Sequence, residues 1–438
     1  MWRRGLHGSI PARTLRPLQL FFISFTLRVL PSQVQGFRPL FTRLNNMTTT
    51  EQSAVTGLLP LVCIVFISFL CVGIPLPALP LHVNGVLGFS ALTVGWVIGV
   101  QALATIVSRR FAGAFCDRNG PKRSVAIGLP MASLAGLLYW VSTYIDNAGV
   151  SLAALFIGRV LMGPAESMFM TGTMTWGIGR VGMHRTGKVM AWQGIAMFAA
   201  LGLGAPIGIA LQHHFGFAGV ALVTVALPLL GLAIASFLPG LPGLGSKAAS
   251  VPIGEVLRVI WRFGMALALG AVPFAIITSF LVLLYASNNW SGAGVAILGF
   301  SVGYVGVRLF FAHLPDRIGG IKVGAVSIVI EMAGQLLLWQ AHDPVMAGLG
   351  TLLTGIGFSL VFPAMGVEAM ANVPPQSRGL AVATFMAFVD LAGGMTGPII
   401  GVLIGAAGYG SAFLAGAASC VAALLLMVSS RGRVAARA

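Results

Sequence analysis

Apolar runs of about twenty residues recur twelve times along this chain, the length a helix needs to cross a bilayer. They lie near 58–81, 90–110, 124–145, 150–175, 187–212 and 217–238, then near 263–286, 293–314, 322–341, 345–370, 379–406 and 410–430. The strict polar–apolar alternation of barrel strands is missing from these runs. In hydrocarbon, backbone N–H and C=O groups must pair internally, so the pattern predicts an all-α membrane protein with 12 transmembrane helices. Between the sixth and seventh runs, PGLPGLGSKAASVPIGEVLRVIWR (239–262) interrupts the rhythm with Pro, Gly and Ser. It reads as a linker ending in a short amphipathic stretch at the membrane surface. The predicted organisation is a basic extension (1–54), a six-helix bundle (55–238), the linker (239–262), a second bundle (263–430) and a basic tail (431–438).

Charge sharpens this picture. Arg109, Arg110, Arg118, Lys122 and Arg123 follow the second run, and Arg180, Arg185 and Lys188 follow the fourth. Lys247, Arg258 and Arg262 occupy the linker; Arg308, Arg317 and Lys322 surround the turn after the eighth run; Arg378 follows the tenth; Arg431, Arg433 and Arg437 end the chain. The alternate loops carry no Lys or Arg, only His82, Asp146, His213, His214, His342 and Asp343. Such one-sided placement predicts both termini in the cytoplasm. It also assigns the net charge of +16 to topology rather than nucleic acid, because the cations are scattered over many turns.

Composition agrees: 57% of residues are apolar, 8% are charged and the mean hydropathy is +0.94, too few charges to cover a water-soluble surface. The 58 glycines suit close helix packing in lipid. Cys63, Cys71, Cys116 and Cys420 form no metal-type cluster and read as packing residues, so no metal or cofactor is expected. Residues 1–46 hold seven Arg and no acid around a short apolar stretch at 18–27. Met47 followed by TTTEQ reads as an ordinary start, so an over-extended start is the preferred reading and a surface-lying basic segment the second.

The chain repeats. A shift of 192 residues lays GRVLMG (158–163) on GTLLTG (350–355), Gly202 on Gly394 and Pro206 on Pro398. A shift of 199 lays Arg109 on Arg308, and Asp117, Arg118 and Gly120 on Asp316, Arg317 and Gly319. Charged and proline positions in matching places point to a duplicated six-helix unit.

Six plus six helices, with the turn GAFCDRNGPKR (Gly113 to Arg123) and its partner AHLPDRIGGIK, resemble the major facilitator superfamily over residues 55–430. Gly113, Asp117, Arg118, Gly120, Lys122 and Arg123 match that family's loop motif; the second copy has Ala312 for the first Gly. FPAMGVEAMANVPPQSRG (362–379) and FVDLAGGMTGP (388–398) further resemble a bacterial arabinose-efflux-like permease branch. The resemblance implies a gating role for Asp117, Arg118 and Arg123. That agrees with the chemistry of an acid among cations, which can latch in one helix arrangement and release in another.

Within the spans, Arg159 is read as the one deeply placed cation, with Glu166 two turns along the same face (~10 Å). Arg159 and Gly163 match a fourth-span signature that the resemblance links to proton coupling; the alternative is a structural Arg that bonds backbone carbonyls. Glu331, Glu368 and Asp390 are the remaining acids at membrane depth, where an unpaired carboxylate tends to hold its proton. Asp390 is the best placed by depth, and Glu368 has a simpler alternative as a salt-bridge partner of Arg378. Gly202, Gly204, Pro206 and Gly208 partly match an antiporter-linked Gly–Pro motif, and Gly397, Pro398 and Gly401 fit that spacing better. Gln101, Gln193, Tyr285, Asn288, Asn289, Trp290 and Gln335 are candidate cavity-lining residues.

The expected function is a monomeric secondary transporter of a bacterial inner membrane, working by alternating access. It would couple protons to efflux of a small organic solute; the alternatives are a proton-coupled importer and a sensor or scaffold with a transporter fold. No nucleotide-binding Gly-x-x-x-x-Gly-Lys-Ser/Thr loop, His-Glu-x-x-His or Gly-x-Ser-x-Gly is present to suggest an ATPase or an intramembrane enzyme.

Overall fold

The computed structural model describes residues 49–182, 186–243, 253–371, 373 and 378–435. The readings of residues 1–46 fall outside the described residues. Gly57–Ala438 forms one compact unit, and among its described residues there is no strand. The helices are α1 (Thr49–Gly73), α2 (Ala91–Asn119), α3 (Pro121–Ser142), α4 (Ala148–Val181), α5 (186–215) and α6 (217–236). They are followed by α7 (Ile253–Ser287), α8 (Ala293–Phe311), α9 (Gly320–Trp339), α10 (Pro344–Ala371), α11 (Arg378–Ala407) and α12 (Tyr409–Ala435). α5 and α6 run on from one another apart from a single break at Gly216, where φ is +63°. That break turns one continuous helical stretch into two crossings, which accounts for twelve.

Local chemistry sets the helix ends. At the end without basic turns, Ser90 caps α2 by accepting from Thr93 N, and Asn147 caps α4 by accepting from Val150 N. There too the Asp343 carboxylate accepts from Val345 N and Met346 N at the start of α10. At the basic end, Gly120 and Gly319 occupy equivalent corners with φ of +88° and +93°. A side chain there would be strained, which explains the final Gly of each Asp-Arg-x-Gly turn.

Three boundaries differ from the sequence pattern. α2 runs nine residues beyond Arg110, so Arg109 and Arg110 lie inside the helix rather than in a following turn. Hydropathy falls at these arginines, but nothing there breaks a helix. The amphipathic stretch at 253–262 is continuous with α7 and not a separate surface segment, for the same reason. α12 extends through Ala435, into the expected tail.

The two halves meet through helix pairs related by the internal repeat. α2 packs on α11 with Gly95 against Gly397 and Gly99 against Gly394, so closely that a Cβ on either α2 glycine would collide with backbone. α8 packs on α5 with Gly294 against Pro206 and Ser301 against Gly202. Gly294 is the 199-residue counterpart of Gly95, and Pro206 the 192-residue counterpart of Pro398, so the two contacts are copies of one another. Both lie toward the end opposite the basic turns. Without water, such small-residue surfaces hold helices together by close van der Waals packing. Gly204 acts inside the first half, where its Cα faces the backbone of Gly73 and Ile74.

Replacing Gly95 by Val forces α2 and α11 apart. It is expected to cost about 1–3 kcal/mol, read as a lower unfolding temperature in detergent. Gly405→Ala, a site with open space around it, should leave that temperature unchanged.

Candidate functional site

Three arginines on the helices, Arg159, Arg109 and Arg308, each bond a neighbouring helix in a different way. Arg159 on α4 is buried, 2% exposed, and donates from Nε to Val97 O at 3.0 Å and from Nη2 to Ile98 O at 3.1 Å. It therefore clamps α4 to α2 through backbone carbonyls. Its Nη1 has no hydrogen-bond partner, and Glu166 lies within its electrostatic reach.

Arg109 on α2 donates from Nη2 to Asp390 Oδ2 on α11 at 2.5 Å, and its Nη1 lies 3.9 Å from Met386 Sδ. The pair joins the two halves, with both side chains less than a fifth exposed. Glu166 accepts from Gln101 Nε2 at 2.7 Å and lies within electrostatic reach of both Arg109 and Asp390. Thr105, Ser108 and Ser167 continue this polar seam between α2 and α4. The seam is thus two carboxyls and a cation on three helices drawn from both halves, a set that can exchange a proton for an ion pair.

Arg308 on α8 donates from Nη2 to Tyr304 Oη at 2.6 Å and to Ser359 O at 2.9 Å, and its guanidinium lies 5.0 Å from the centre of the Tyr304 ring. Among the described residues it has no carboxylate partner, and its Nε is buried without a hydrogen bond.

The other expected residues are distributed more widely. Glu331 is fully buried, with neither carboxyl oxygen hydrogen-bonded, among α7, α9 and α10 beside Gly270 and Gly357. It is therefore inside the second half and away from the seam. Glu368 accepts from Ile321 N at 3.1 Å, capping the start of α9, where a negative charge meets the positive end of the helix dipole. The side chain of its expected partner Arg378 lies outside the described residues. Gln193 bonds Thr173 and Gln335 bonds Thr354, each within one half. Tyr285 donates to Pro344 O.

The loop motif is open. Asp117, Arg118 and Arg123 are exposed, as are Asp316 and Arg317 in a short helix at Leu314–Ile318, and among the described residues none of the five has an ion-pair partner. Gly113 has open space around it. Lys122 of the same turn is engaged, donating to Ser236 O and Leu238 O at the end of α6.

The sequence reading missed Arg109 and Arg308 as site residues because it took them for loop charges. The signal that could have found them was already present: they are the one pair of arginines that the 199-residue repeat superimposes before the Asp-Arg turns.

A two-bundle helical membrane protein with a charged seam between its halves is the architecture of a solute carrier. The Major Facilitator Superfamily model matches residues 61–292 and 263–437. An uncharacterised MFS-type transporter of Escherichia coli, YhhS, is 41% identical over 362 residues, covering 82% of this chain and 89% of that one. One from Burkholderia mallei is 39% identical over 381 residues, covering 86% and 93%. Among solved structures, the nucleoside transporter NupG superposes with a TM-score of 0.70 at 16% identity, covering 85% of this chain and 99% of that one. The human organic anion transporter MFSD10 superposes at 0.63 and 15%, covering 87% and 100%. The chain belongs to the major facilitator superfamily. It is a multi-pass membrane transporter of small molecules, and not an enzyme.

Removing one member of a partly buried ion pair leaves the other uncompensated. Asp390→Asn should therefore lower stability by about 2 kcal/mol, and thermal unfolding of the purified protein measures it. Glu331→Gln removes no hydrogen bond and should leave the unfolding temperature equal or higher.

Proposed function

We propose that this protein is a proton-coupled exporter of a small organic solute, working by alternating access as a monomer in a bacterial inner membrane. The observation that carries the coupling is the Arg109–Asp390 pair between α2 and α11, with Glu166 close by. Protonating Asp390 would remove the charge that holds Arg109, loosen the contact between halves and favour the other arrangement of the bundles. Glu166 stands ready to receive the released cation. Arg159 holds α2 and α4 in register so that Glu166 and Arg109 stay together, a positioning role. The open loop turns at Asp117–Arg118 and Asp316–Arg317 would latch in the opposite state.

By the distribution of cations, the basic end and both termini face the cytoplasm. The halves are sealed at the far end by Gly95, Gly397, Gly294 and Pro206, so this arrangement would load solute from the cytoplasmic side. The antiporter-like Gly–Pro spacing at Gly397–Pro398 favours export. A small organic solute is also the kind of cargo that the names of the two structural neighbours give for those proteins.

Everted membrane vesicles test direction and coupling together. Solute is expected to accumulate inside them when a proton gradient is imposed and to leak out when an uncoupler is added; accumulation in right-side-out vesicles instead would make the protein an importer. Asp390→Asn should abolish the response to the gradient while keeping solute exchange down its own gradient. Full gradient-driven accumulation in that variant would remove Asp390 from the coupling step.

A further inference from the structure

The internal repeat places Arg109 and Arg308 in equivalent positions, and it does the same for the helices they face. Arg109 meets Met386 and Asp390 on α11. Subtracting 192 residues from these gives Gly194 and Phe198 on α5. Arg308 indeed reaches α5 at Gly194, with Nη1 3.9 Å from the position a Cβ would take there. Phe198, where the other side has its carboxylate, stacks on Tyr304 with ring centres 3.7 Å apart. The two contacts are thus the same in geometry and opposite in charge balance: one guanidinium is neutralised by the protein, and the other faces aromatic rings and neutral oxygens.

A part-buried guanidinium without a counter-charge is costly unless neutral oxygens or an outside anion compensate it; Arg159 is met by two backbone carbonyls, whereas Arg308 has one carbonyl, a phenol and a ring face, and its Nε makes no bond. The surroundings specify that anion further. Phe198, Tyr304 and Phe358 form one continuous aromatic cluster with Phe274 and Phe300, contributed by both halves. Toward the sealed end this cluster borders a small, almost wholly apolar void that Phe274 and Phe300 line together with Leu201 and Ile277. Planar forked donors favour a carboxylate, and stacked rings favour a flat apolar body.

We propose that Arg308 is the anchor for the negative group of the transported solute, which is an amphipathic organic anion: a carboxylate on an aromatic body. This rests on the transporter reading above. The carboxylate takes the place at Arg308 that Asp390 takes at Arg109, and the ring enters between Phe198 and Tyr304. Because Phe198 belongs to α5 and Tyr304 to α8, an inserted ring contacts both halves at once. Occupancy of the site is thereby tied to the relative position of the bundles.

Equilibrium binding of naphthoate and of its neutral isostere naphthamide to the full chain in lipid nanodiscs tests this. The wild type is expected to bind naphthoate at least about tenfold more tightly than naphthamide, the scale of one charge-assisted contact. Arg308→Gln should abolish that preference. Phe198→Asp, which supplies Arg308 with an internal carboxylate, should abolish it equally; losing the buried ring lowers the unfolding temperature, so binding is compared well below it, where the circular dichroism of each variant matches the wild type. Equal binding of naphthoate and naphthamide by the wild type, or retained preference in both variants, overturns the proposal. A screen of neutral and cationic solutes in everted vesicles separates the two readings. Gradient-driven movement of such solutes without naphthoate binding refutes the anion site alone; no gradient-driven movement of any solute, naphthoate included, refutes the transporter reading as well.

Discussion

A guanidinium placed inside a lipid bilayer must find compensation within the protein, and three of them shape this molecule. Arg159 finds it in the carbonyls of Val97 and Ile98, a bond internal to the first half that keeps α2 and α4 together. Arg109 finds it in Asp390, and so the second solution joins one half to the other. Arg308 has only a phenol, a carbonyl and a ring face. The first lies within one half, the second is an ion pair between the halves, and the third has neutral partners among the described residues.

The internal symmetry makes this division informative. Duplication alone would have produced two equal contacts, and for the backbone it did: Gly95 against Gly397 and Gly294 against Pro206 are repeat-related seals. The side chains that meet the two arginines differ: Met386 and Asp390 on α11 stand where α5 has Gly194 and Phe198. Packing at the sealed end therefore stays balanced across the pseudo-two-fold axis, while the chemistry nearer the basic end is one-sided.

The twelve crossings were legible because an apolar run long enough to span is a strong signal in a single sequence, and the basic turns gave the repeat its anchor points. The site was legible only in part. Asp390 and Glu166 stood out as acids among apolar neighbours, but Arg109 lies 281 residues from its partner, and no local pattern announces that bond. Hydropathy also misled at the end of α2: it drops where arginines begin, whereas the helix continues to Asn119. Glu331 and Glu368 have surroundings that depth alone does not announce: one is enclosed inside a bundle and the other caps a helix, placements decided by neighbours distant in sequence.

Gly216 and Gly408 are also repeat-related, each holding a positive φ at the junction of two crossings. α5 turns into α6, and α11 into α12, with no loop to absorb movement between them. Each pair is accordingly a stiff hairpin, one arm of which touches the opposite half while the other reaches toward the periphery. A tilt of the central arm is thereby carried to the outer arm, which ties the contact between the halves to helices at the edge of the bundle.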